Sequence, residues 1–120
     1  MPLLFENKNQ EELQLLKEWA KVRAYMETHF GKKPDIQGFL YLIGINELGF
    51  VREFEKDEKQ DLIHIGLCKI LEGEFYEFTH TDSDGWPHFE CIKPVPEMFI
   101  KMQEQTLKSK IVNYFNQYIF

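Results

Sequence analysis

Asp61, His64 and Cys68 stand three and four residues apart, the spacing that brings side chains onto one face of a helix. Imidazole and thiolate are both ligands for zinc, and a carboxylate three residues before the histidine is placed to orient its ring. Three more residues of the same chemistry, His80, His88 and Cys91, follow within a short stretch. For all of them to close around one metal, the segment carrying the second set would have to fold back. The expected strand register sends His80 and His88 to opposite faces and turns Cys91 towards the apolar set. Asp61, His64 and Cys68 are therefore the metal candidates, and no bound cofactor is expected.

The string His80-Thr81-Asp82-Ser83-Asp84-Gly85 partly matches a calcium loop. Such a loop wants oxygen ligands at its first and twelfth positions, where this chain has His80 and Cys91. A hairpin turn is the better reading, with aspartate oxygens bonded to local amides and Gly85 at positive φ. Cysteine catalysis needs a thiolate beside a base, and an acidic mid-helix setting does not favour a thiolate at Cys68. The two serines, Ser83 and Ser109, lie outside any Gly-x-Ser-x-Gly elbow. Glu77 and Glu90 are set to face each other across a hairpin, yet paired surface carboxylates alone do not define a glycosidase. The seven glycines are scattered rather than gathered in a phosphate loop. Enzymatic activity is not the favoured reading.

These residues depend on the elements that hold them. Leu15, Trp19, Val22 and Met26 recur at helical spacing, Asn9 and Glu12 suit a capping box, and Gly31 suits a left-handed stop. This predicts a first helix over 10–30. Asp35 and Gly49 bracket Ile36–Leu48, an apolar run that periodicity alone leaves open between buried helix and buried strand. Its length and its end residues favour a central helix, with Gly38 and Gly44 allowing close backbone approach. Asp57 is expected to cap a third helix over 58–72, with Ile63, Leu67, Ile70 and Leu71 inward and Gly73 ending it. A fourth is expected after Pro96, its stripe including Leu107, Ile111, Tyr114 and Tyr118.

Between helices three and four, aromatic-rich runs flank an Asp-Gly turn, the pattern of a β-hairpin. Pairing Asp82 with Gly85 sets Phe78 against Phe89 and Tyr76 against Cys91. One face then carries Tyr76, Phe78, Phe89 and Cys91; the other carries Glu77, Thr79, Trp86, His88 and Glu90. A one-residue slip would mix the sets. A lone hairpin is marginal in water, so its apolar face must pack on helices. The fold class expected is α+β: about four helices with one antiparallel hairpin packed on them, in a single compact domain spanning 1–120.

The 120 residues include 11 Phe, 5 Tyr and 2 Trp, which excludes a disordered acidic chain. Two cysteines are too few for a disulfide scaffold. The formal charge of −6 weighs against nucleic acid, whose binding relies on basic side chains. The run Met1–Phe5 lacks the basic start and length of a secretory leader. The longest apolar run, Phe39–Ile45, is far short of a membrane span. A cytoplasmic protein with reduced thiols is expected, without membrane or nucleic-acid partners. Charge is concentrated: residues 53–91 hold eleven acidic and three basic side chains.

Trp86 lies on the nominal outer face beside Pro87 and His88, near Glu77 and Glu90. Phe50, Phe54 and Phe120 fall outside the clearest stripes. Aromatics rimmed by charge resemble the centres of protein interfaces; equally, Trp86 can pack down onto a loop or the fourth helix of its own chain. The favoured expectation is a non-enzymatic interaction or scaffold protein that binds a protein partner or itself as a homodimer, through Trp86, His88, Glu77 and Glu90. The alternative is a small-ligand or metal-binding protein, with or without catalysis, built on His64, Cys68 and the hairpin histidines. A concave pocket holding both Trp86 and His64 would favour ligand binding.

Overall fold

The computed structural model describes residues 2–31, 35–95 and 104–120. Among them are helices α1 (Pro2–Phe30), α2 (Ile36–Leu48) and α3 (Lys56–Ile70), strands β1 (Tyr76–Thr81) and β2 (Pro87–Cys91), and helix α4 (Glu104–Tyr118). The class is α+β, four helices with an antiparallel hairpin. No helix among the described residues is long and apolar enough to cross a membrane.

Helix ends follow local chemistry. α1 begins at Pro2 instead of near residue 10, so Asn9 and Glu12 lie within a continuing helix and have no free end to cap. Gly31 closes it at φ 73° and donates to the Glu27 carbonyl. In α2, Asp35 accepts the Gly38 amide at 2.8 Å, and Gly49 takes the left-handed cap at φ 88°. The ambiguous apolar run is thus a helix. α3 starts two residues earlier than its spacing suggests. Glu55, not Asp57, is the cap, and Glu58 returns a carboxylate to the Glu55 amide at 2.9 Å. Arg52 holds the same carboxylate with both guanidinium nitrogens. Asp57 occupies the first turn. The expected fourth-helix start after Pro96 lies outside the described residues.

α2 and α3 touch backbone to backbone. A Cβ on Gly44 would fall 2.0 Å from the Leu62 carbonyl oxygen, and one on Gly66 2.0 Å from that of Leu40. The main core collects Val22 and Met26 from α1, Phe39 and Ile43 from α2, Leu71 and Phe75 after α3, and Ile111 and Phe115 from α4. Tyr118, expected in the α4 stripe, is 47% exposed; Val112 and Phe115 are buried instead. A second, smaller cluster of Leu48, Phe54, Leu62 and Ile65 receives Trp86 and Phe89 from the hairpin. α3 therefore buries two faces, one in each cluster.

The hairpin corrects the expected register in one half only. Tyr76 pairs with Cys91, Glu77 with Glu90 and Phe78 with Phe89, as the pattern requires. At the turn, Asp82 bonds with Trp86 rather than Gly85: its amide donates to the Trp86 carbonyl at 2.9 Å. The loop is three residues long, ending on Gly85 at φ 90°, a common hairpin solution. This shifts the register by one residue, and a bulge between Phe78 and His80 shifts it back. His80 and His88 are consequently cross-strand partners on one face, not on opposite faces. Burial is also less regular than alternation implies. Tyr76 and Phe89 meet the cores, whereas Phe78 and Cys91 remain exposed.

Candidate functional site

One face of α3 and the turn end of the hairpin enclose a cleft of about 320 Å³. The helix contributes Asp61, His64, Ile65 and Cys68, at successive spacings of three, one and three; the hairpin contributes Asp82, Trp86, Pro87, His88 and Phe89. The second core cluster forms its floor, because Ile65 and Phe89 belong to both.

On the helix wall, Cys68 Sγ lies 3.4 Å from His64 Nε2. Cys68 is only 1% exposed. Burial, and then the nearby Cys91, push its thiol from an ordinary 9.0 up to about 12. It stays protonated at neutral pH and suits donation to His64, not nucleophilic attack. The His64 ring also meets Tyr76 edge-on, with centroids 5.8 Å apart. Asp61 does not orient that ring, contrary to expectation; its carboxylate has no ion pair or hydrogen bond among the described residues.

Asp82 organises the opposite wall. Its Oδ1 accepts the amides of Asp84 and Trp86 at 2.9 and 3.0 Å. Its Oδ2 accepts from His88 Nε2 at 2.8 Å. The His88 bond, followed by the Trp86 amide, holds this carboxyl below its usual range. His88 stacks on His80 with centroids 4.6 Å apart and planes within 2°. Thr79, at the bulge, donates its hydroxyl proton to the His88 carbonyl at 3.1 Å. His80 Nδ1, 3.0 Å from the Thr79 hydroxyl oxygen, is therefore the donor of that pair. Bulge, turn aspartate and stacked rings together fix where His88 stands.

Trp86 points inward. It is half-buried, its ring edge-on to Phe54 at 6.1 Å between centroids. The outer-face placement expected of a regular strand does not hold, because Trp86 lies in the turn before β2 begins. Glu77 and Glu90 are paired and exposed, away from the residues lining the cleft. No three His, Cys, Asp or Glu side chains among the described residues converge as metal ligands. Asp61, His64 and Cys68 share the cleft without forming such a trio.

Sequence reasoning recognised Asp82 only as a turn residue, although it anchors His88 and shapes the cleft. Its spacing from His88 carries the signal, since a turn aspartate reaches a histidine across a three-residue loop. Ile65, Pro87 and Phe89 were also missed as lining residues. A second hollow of about 330 Å³ lies between α3 and α4. Its lysines are already neutralised, Lys69 by Glu47 and Glu72, and Lys110 by Glu74.

Comparison with protein-family models, curated proteins and solved structures gives no match for the chain.

Proposed function

We propose that this protein binds a small ligand in the cleft between α3 and the hairpin. One observation carries the reading: Trp86, His64, Cys68, His88 and Asp82 line the same concavity. Ligand sites combine an apolar body with a few fixed polar groups. Here Ile65, Trp86 and Phe89 supply the first, while His64 and the Asp82-braced His88 supply the second. The high thiol pKa of Cys68 favours binding over covalent catalysis. Both cysteines are free, which suits a reducing compartment such as the cytosol.

A screen of small fragments by ligand-observed NMR tests this. Binders should move the Trp86 indole resonance, and His64→Trp, which fills the mouth with a ring, should weaken them at least about tenfold. Fragments that bind without touching Trp86, His64 or His88 would contradict it.

Self-association is a second reading, supported by apolar side chains left open. Leu13 and Leu16 on α1 are 55% and 58% exposed, and Phe78 and Ile92 on the hairpin 46% and 49%. With Trp86 turned inward, these four replace it as the contacts to vary. Sedimentation velocity should show concentration-dependent size in the wild type and less in Leu13→Ser/Leu16→Ser. A size independent of concentration would remove this reading.

A further inference from the structure

We infer that the ligand taken by this cleft is a small organic cation, a protonated amine carried on an apolar body. The inference rests on the cleft being a ligand site and adds the chemical class.

The lining offers two carboxylates, Asp61 and Asp82, and no ammonium or guanidinium among the described residues. An anion entering would lose its water beside Asp61 and Asp82 and would meet imidazole and indole groups but no ammonium or guanidinium of the described residues. Asp82 is already occupied by two amides and His88. Asp61 is not: it sits on an exposed position of α3 at the cleft, without an ion pair or hydrogen bond among the described residues. It is the free counter-charge.

The apolar part of the lining is aromatic where it matters. Trp86 and Phe89 both border the cavity, and a cation over an aromatic face is attracted by the ring quadrupole, indole most strongly. A cation thus gains from Asp61 and from the rings together, whereas a neutral molecule has burial and hydrogen bonds to the imidazoles but no charge attraction. A bare metal ion is the poorer fit, since no three metal-ligating side chains converge among the described residues. The cavity, about 320 Å³, lies at the small end of ligand sites. That suits an amine of one ring and a short chain.

Three probes of one shape and different charge provide the test: phenethylamine, phenethyl alcohol and hydrocinnamate, each titrated into nitrogen-15-labelled protein. Phenethylamine should shift the Trp86 indole and the backbone amides of residues 82–86, 88 and 89. Its affinity should exceed that of the alcohol by about fivefold or more, with hydrocinnamate weakest. Asp61→Asn, at an exposed position, should reduce amine affinity about fivefold and leave the alcohol unchanged. Equal affinities for amine and alcohol, or no effect of Asp61→Asn, would overturn the charge assignment while leaving the pocket standing. Preference for hydrocinnamate would do the same. If none of the three perturbs Trp86 or the hairpin, the ligand-site reading fails along with it.

Discussion

Two free thiols in one small chain give a direct readout of side-chain environment. Cys68 is 1% exposed and its thiol is raised to about 12, while Cys91 is exposed with Sγ 3.4 Å from the Lys93 carbonyl. A thiol-reactive dye should modify Cys91 rapidly and Cys68 only on unfolding, so Cys91→Ser should remove the fast phase. Because the folded thiol titrates above its unfolded value, Cys68 favours the native state fully below about 9.0. That contribution is lost as pH rises towards 12, where the unfolded chain alone gains from ionisation. Glu58 works at the other end of the scale. The Arg52 guanidinium, then the Glu55 amide, hold its carboxyl from an ordinary 4.5 down to about 2. Its contribution is present above about 4.5 and is lost as pH falls through 2. Carboxyl NMR titration should find Glu58 ionised well below the ordinary glutamate value of 4.5, and Arg52→Met should return it towards that value.

Among the elements, the α2–α3 pair has the narrowest tolerance. Gly44→Ala and Gly66→Ala each place a methyl 2.0 Å from a carbonyl oxygen of the facing helix, so the helices must separate. Each should cost about 1–3 kcal/mol or more in denaturant unfolding. Gly85→Ala should cost about 1–2 kcal/mol for a different reason: there is room for the methyl, but φ is 90°. Gly44 is legible in the sequence as a small residue in an apolar run. Gly66 is hidden, because only the docked pair shows that it opposes Leu40. Helix ends are readable where one residue decides them, as at Asp35 by its side chain and at Gly49 by its positive φ. The start of α3 is not, since Glu55 acts as cap through a reciprocal bond with Glu58 and an arginine three residues upstream. In the hairpin, alternation fixed the far pairs and concealed two compensating irregularities near the turn. Those irregularities bring His80 onto His88 and Asp82 onto His88, which is why the cleft's second wall could not be read in advance.

At the scale of the molecule, the radius of gyration is 15.8 Å, above the roughly 14 Å expected of a compact chain this long. α1, 29 residues and about 44 Å in length, is long for such a body. It leaves Leu13 and Leu16 open. Residues 53–91, which carry the acidic excess, supply every residue lining the cleft. Of their eleven acidic side chains, Asp61 and Asp82 line the cleft. The most direct test is a phenethylamine titration of nitrogen-15-labelled protein, followed at the Trp86 indole, in wild type and His64→Trp. A saturable shift of Trp86 in the wild type, weakened at least about tenfold in a folded His64→Trp, is the result expected. A Trp86 resonance that stays still throughout, or that shifts equally in both proteins, would contradict a ligand site between α3 and the hairpin.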